Sequence, residues 1–216
     1  MTPAGPTRRD DFELLEAWRA GDEIAGNTLV RRHFSSVYRF FRSKLDEHVE
    51  DLTQQVLLAL VESRERVRGP ANFRAYLFGI ARKTLMMHLR GRYRADKVFS
   101  PTDHSIHELA ITDASLGEQL AARREQRLLV AALRSIPVDF QIVVELYYWE
   151  ELSVAEIAEI TEVAPGTVKS RLSRARTMLQ TQLDRLARAY GIETTGEAVE
   201  HWVSSIRDLY SRRIRS

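Results

Sequence analysis

Leu152-Ser153-Val154-Ala155-Glu156-Ile157-Ala158-Glu159-Ile160-Thr161-Glu162-Val163-Ala164-Pro165-Gly166-Thr167-Val168-Lys169-Ser170-Arg171-Leu172-Ser173-Arg174-Ala175-Arg176 is the stretch whose reading decides the fold. Ser153 and Glu156 stand in capping-box spacing, in which hydroxyl and carboxylate satisfy the free amides of a helix start. Ile157, Ala158 and Ile160 supply an inner face, and the small Ala158 lets a second helix cross closely. Thr161 to Ala164 make a short turn, and Pro165 suits the first position of a new helix. Val168, Leu172, Ala175 and Leu179 then recur at helical spacing. Two short helices joined this way predict a helix-turn-helix.

Charge divides the two helices. Glu145, Glu150, Glu151, Glu156, Glu159 and Glu162 fall in a run without lysine or arginine, whereas Lys169, Arg171, Arg174 and Arg176 fall in a run without acid. A helix that enters the major groove meets dense phosphate charge and is expected to be basic. Thr167, Ser170, Arg171 and Arg174 occupy the part that reaches base edges, where arginine bonds guanine bidentately. A helical hairpin with a solvated charged face is the plainer reading of the same charges. Capping box, turn length and charge switch together favour DNA.

Outward from there, the segment Arg64 to Arg94 carries a second signal. Arg64, Arg66 and Arg68 precede Gly69-Pro70, then come Phe73, Tyr76 and Phe78, and then Arg82, Lys83, Arg90, Arg92 and Arg94. Arg82, Met86 and Arg90 share a helix face at i, i+4, i+8. Rings beside cations suit single-stranded nucleic acid, because rings stack on exposed bases while cations track phosphates. Phe73 taken alone reads better as core, since such rings are most often buried.

The rest of the chain is helical in spacing. Glycine and proline are sparse among the 216 residues. Phe12, Leu15 and Trp18 mark one helix, ended at Gly21-Asp22. Leu29, His33, Val37, Phe40 and Phe41 mark a second, and Val49, Leu52, Val56, Leu57, Leu60 and Val61 a third. A fourth begins near Asn72. Val98 to Ala122 has no lysine or arginine and carries Asp103, Glu108, Asp113 and Glu118, which reads as an acidic linker. Hydrophobic residues are 44% and charged residues 29%, an ordinary globular composition. There is no cysteine, which excludes a disulfide framework and a thiolate metal site. No apolar leader region and no long apolar run occur, so neither a signal peptide nor membrane insertion is expected, and a cytoplasmic location is.

Three stretches, in this order, resemble the extracytoplasmic-function sigma factors of the sigma-70 family. Glu50-Asp51-Leu52-Thr53-Gln54-Gln55-Val56 looks like the polymerase-binding helix. Phe73-Arg74-Ala75-Tyr76-Leu77-Phe78-Gly79-Ile80-Ala81-Arg82 looks like the promoter-melting helix. The helix-turn-helix looks like the upstream-element reader. Gln55 stands where an acid is common, Leu57 where an aromatic is, Tyr76 where tryptophan is, Glu162 where glycine is and Ala164 where serine is.

The resemblance covers about residues 10–190 and implies two helical domains joined by a flexible linker; with the apolar periodicity of the last segment, the expected chain is all-α, plus a C-terminal helix. Its parts are a flexible tail 1–9, a first domain 10–97, the linker 98–122, a second domain 123–190 and an extension 191–216. It implies core RNA polymerase as partner, met at the clamp helices of the largest subunit and at the flap, with Asp51, Gln54 and Gln55 on the clamp. It implies promoter DNA as the second partner. Arg66, Asn72, Phe73, Tyr76, Arg82, Lys83 and Arg90 would hold the opened −10 element. Thr167, Lys169, Ser170, Arg171, Arg174 and Arg176 would read the −35 element. An anti-sigma factor or another regulator is the third expected partner. No catalytic residue, cofactor or metal is expected.

Other classes fit less well. A conventional dimeric regulator needs a ligand or dimerisation domain where the aromatic, basic segment lies. A sigma-like decoy need not keep both DNA faces basic. An enzyme has no Walker loop, zincin helix or nucleophile elbow here. His104 and His107 lie in the acidic linker without further ligands nearby. Ala198, Val199, Trp202, Ile206, Leu209, Tyr210 and Ile214 give the last segment one apolar helical face that must pack on something.

Overall fold

Asp10 starts the first helix by closing a box with Glu13. Its carboxylate accepts the Glu13 amide at 2.8 Å, and the Glu13 carboxylate accepts the Asp10 amide at 3.0 Å. The computed structural model describes residues 10–67, 73–95 and 130–190, and every regular element among them is a helix. The expected tail 1–9, the linker 98–122, the extension 191–216 and Asn72 lie outside the described residues.

Helix α1 (Asp11–Arg19) ends at Gly21, whose φ of +99 is a conformation that side chains rarely adopt. Asp22 then caps α2 (Glu23–Arg42), accepting the amides of Ile24 and Ala25 at 3.0 Å each. Gly26 serves close approach: a Cβ there would lie 2.5 Å from the Trp18 ring, so only glycine lets α1 lie on α2. Helix α3 (Val49–Ser63) turns Val49, Leu52, Thr53, Val56 and Leu60 inward, and a 3-10 turn (Arg64–Arg66) follows. Helix α4 (Phe73–Ala95) completes a first bundle. Phe40 meets the edges of Phe41 and Phe78 at ring distances of 5.5 and 5.8 Å in its core.

Residues 130–135 form α5, followed by α6 (Val138–Tyr148), α7 (Val154–Thr161) and α8 (Pro165–Tyr190). Helix α6 buries six consecutive residues, Gln141 to Leu146, so it is the central helix of this second bundle. Helices α6, α7 and α8 pack on one another. The two bundles also touch: α7 lies along α4, so the first helix of the helix-turn-helix rests on the aromatic, basic helix.

Candidate nucleic-acid interface

The helix-turn-helix forms as its sequence dictates. The Ser153 hydroxyl accepts the Glu156 amide at 3.2 Å, and the Glu156 carboxylate accepts the Ser153 amide at 2.8 Å. Glu162 ends α7 at φ 56 and ψ 41, the left-handed conformation that glycine takes without cost. The Ala164 carbonyl accepts the amides of Thr167 at 2.8 Å and Val168 at 3.2 Å, and α8 begins. Val168, Leu172, Ala175 and Leu179 point into the core. Thr167, Ser170, Arg171 and Arg174 therefore line one outward stripe at i, i+3, i+4 and i+7.

Thr167, Lys169, Ser170 and Arg174 are exposed. Arg171 is partly covered, with Nη2 3.4 Å from the Asp139 carboxylate. Arg176 turns away from the stripe. Its Nε donates to the Tyr148 hydroxyl at 2.6 Å and its guanidinium lies 5.7 Å from the centre of that ring. It binds α8 to α6.

The α4 residues separate into two groups. Phe73 is 1% exposed and packs 5.2 Å from the His33 ring, so it belongs to the core, as its ring type alone favours. Tyr76 is half-buried with its hydroxyl directed at the Ser63 carbonyl. Arg66, Lys83 and Arg90 are exposed. Met87 is 62% exposed on the same helix, between Lys83 and Arg90. Arg82 is held against the second bundle, 3.3 Å from the Ile160 carbonyl and 3.7 Å from the Glu162 carboxylate.

Asp51, Gln54 and Gln55 stand together on the outer side of α3, all exposed. Leu58 and Val61 extend that side, Leu58 being 54% exposed. The sequence pattern marks Val61 only as an apolar position of the helix and does not mark Leu58. Their signal was available: Val49, Leu52, Val56 and Leu60 already fill the inward stripe, so Leu58 and Val61 must face elsewhere.

The junction between the bundles is a set of ion pairs that sequence reasoning missed. Arg39 meets Glu150 at 2.6 Å with both side chains buried. Arg74 donates to the Glu150 backbone carbonyl and lies 3.2 Å from its carboxylate. Lys44 pairs with Glu145, both buried. Burial pulls the Lys44 ammonium below its ordinary range and the Glu145 charge opposes that shift. Burial likewise pushes the Glu145 carboxyl up, and Lys44 opposes it. Arg134 reaches across from α5 to the end of α2, donating to the carbonyls of Ser43 at 3.0 Å and Arg42 at 2.9 Å. A lone acid inside the apolar run Ile142-Val143-Val144-Glu145-Leu146 is a sequence sign of a buried pair. It does not name the partner.

Two family models match the chain: one described as sigma-70 region 2 over residues 29–95, and one described as sigma-70, region 4 over residues 126–179. The chain is 31% identical over 194 residues to the ECF RNA polymerase sigma factor SigM of Mycobacterium tuberculosis, covering 89% of this chain and 90% of that one. It is 28% identical over 183 residues to the ECF RNA polymerase sigma-E factor of Haemophilus influenzae, covering 82% and 96%. Among solved structures, RpoE in complex with the anti-sigma factor NepR from Bartonella quintana matches with a TM-score of 0.54 and 28% identity, over 73% of this chain and 93% of that one. CnrH in complex with the cytosolic domain of CnrY shares the fold at a TM-score of 0.55 and 23% identity, over 82% and 97%.

Proposed function

Because this chain belongs to the sigma-70 family, among the extracytoplasmic-function RNA polymerase sigma factors, we propose how its surfaces divide the work of promoter recognition. The chain binds core RNA polymerase and directs it to promoters. The first bundle, within residues 10–97, carries the polymerase contact on the outer side of α3. Asp51, Gln54 and Gln55 supply polar contacts there, and the exposed Leu58 and Val61 add apolar area around them.

The same bundle holds the opened −10 element with Arg66, Asn72, Tyr76, Arg82, Lys83 and Arg90. Cations track the strand while exposed bases stack. The second bundle, within residues 123–190, reads the −35 duplex through Thr167, Lys169, Ser170, Arg171 and Arg174, and meets the flap of polymerase. Bond-making chemistry stays with the polymerase, so the chain needs no catalytic residue, metal or cofactor of its own. It works in the cytoplasm, where polymerase and DNA are. An anti-sigma factor, as accompanies RpoE of Bartonella quintana, is its regulator.

The outward stripe of α8 carries this reading furthest. Thr167, Ser170 and Arg174 of the stripe, with Lys169 beside it, are exposed on a helix that turns Val168, Leu172, Ala175, Leu179, Leu183 and Leu186 inward. Run-off transcription with core polymerase, on the DNA upstream of this chain's own coding region, tests it. A discrete transcript that appears only when the chain is added is the expected result. Core polymerase that gives the same products with and without the chain would overturn it.

A further inference from the structure

We propose that Arg19 of α1 is a positioning residue for promoter opening: its guanidinium takes the two backbone carbonyls that bracket Arg66, and so fixes the side from which Arg66 meets the opened strand. The inference rests on the −10 reading above. Arg66 ends the 3-10 turn that leaves α3, and it is exposed. Arg19 Nη2 donates to the Arg64 carbonyl at 2.5 Å and to the Val67 carbonyl at 2.6 Å, and Nε donates to the Arg64 carbonyl at 3.2 Å. Nη1 donates to the Glu16 carboxylate at 2.5 Å, which orients the fork. The Arg19 side chain is 17% exposed, so these bonds are largely sheltered from water.

The turn needs such support. A 3-10 turn is weakly bonded on its own, and the bond that closes this one, from the Val67 amide to the Arg64 carbonyl, is 3.3 Å long. Charged donors make the stronger hydrogen bonds. A planar fork reaches two carbonyls at once, whereas a lysine ammonium is a point charge at the end of a flexible stem. Neighbouring side chains hold the same turn from other sides. Val67 is 2% exposed, the Arg64 guanidinium lies 5.3 Å from the centre of the Trp18 ring, and the Tyr76 hydroxyl is 3.5 Å from the Ser63 carbonyl. With Arg64 and Val67 held inward, Arg66 is the cation that the turn presents to solvent. A group fixed before binding loses less freedom when a flexible strand arrives.

Arg19 also fastens α1, and Asp11 at the other end of that helix separates the two roles. Asp11 bonds Arg32 and His33 of α2 and neither of the two carbonyls. Trypsin reads the turn directly, because it cuts after Arg64 and Arg66 and needs backbone that has come loose. Arg19→Ala is expected to be cut there about tenfold faster than wild type, the effect of a lost charged hydrogen bond. Asp11→Asn is expected to be cut there at close to the wild-type rate. Run-off transcription with core polymerase, on the DNA upstream of this chain's own coding region, reads the consequence. Arg19→Ala and Arg66→Ala should each lower the yield by about tenfold, and the double variant no further, because one acts through the other. Retention by immobilised core polymerase should stay at the wild-type level in all of them.

Should Arg19→Ala lose its helical circular dichroism, Arg19→Lys replaces it and should move both readings the same way by about threefold. Cleavage after Arg64 and Arg66 at the wild-type rate in the Arg19 variants overturns the proposal. Equal acceleration in Asp11→Asn overturns it too, since the whole of α1 would then be the cause. So does a double variant whose yield falls by the product of the two single losses, which marks independent roles. A wild-type chain that yields no transcript overturns the −10 reading and the proposal with it. Transcription by the wild-type chain that the Arg19 variants match leaves the sigma function standing and removes only the positioning role.

Discussion

Asp11 ties the start of α1 to α2 through Arg32 Nη1 and His33 Nε2, each at 2.7 Å. Burial pushes its carboxyl up, but the hydrogen bonds and charges of His33 and Arg32 outweigh burial and hold it at about 2, below the ordinary 3.8. A carboxyl held down in the folded state stabilises above its ordinary value, and the contribution fades as pH falls toward the folded one. Asp11→Asn should therefore cost about 2 kcal/mol at pH 7. The gap to wild type should close between about pH 4 and pH 2. Urea unfolding at a series of pH values measures both. Ala164 is the opposite case, a position where a better residue exists. It precedes α8 with no side-chain oxygen for the Thr167 amide. Ala164→Ser should stabilise the chain by about 1 kcal/mol in thermal unfolding.

At the scale of elements, α8 and α3 each show a face whose chemistry can be removed without touching the core. Arg171→Ala should cost about 1–3 kcal/mol of holoenzyme affinity at the −35 element if the guanidinium bonds a base edge. Competition with scrambled duplex decides the type of contact: equal loss on every sequence marks a phosphate contact instead. On α3, Asp51→Lys with Gln54→Ala should lower the amount of chain retained by immobilised core polymerase, with helical circular dichroism unchanged. Undiminished retention would move the polymerase contact off this helix.

The whole molecule is held together at a junction where charges are buried in pairs. Removing one partner leaves the other without compensation, whereas replacing both with apolar groups of similar size is close to neutral. Lys44→Met should therefore destabilise by about 3–5 kcal/mol, and Lys44→Met with Glu145→Leu should recover most of it. Comparing the two in urea unfolding tests whether these residues depend on one another in solution. A double variant as unstable as the single one would mean that they do not. At the junction Arg82 of α4 is partly covered, whereas Asp51, Gln54 and Gln55 on α3 and Thr167, Ser170 and Arg174 on α8 stay exposed.

Helix existence, the helix-turn-helix and the outward stripe of α8 were determined by the sequence itself, because they rest on local rules. Ser153 and Glu156 close their box within one turn, and Val168, Leu172, Ala175 and Leu179 choose the inward side by period alone. Glu162 stands out only by comparison with the family, which commonly has glycine there, and it takes the left-handed conformation. What only the tertiary structure decided were the relations between residues far apart in the chain. Arg176 belongs to Tyr148, Arg82 to the end of α7, and Glu145 and Glu150 to Lys44 and Arg39, roughly a hundred positions away. The acidic run was legible as charge, but its partners were not. An ion pair needs two side chains within a few ångströms, and no period or cap along the chain carries that distance.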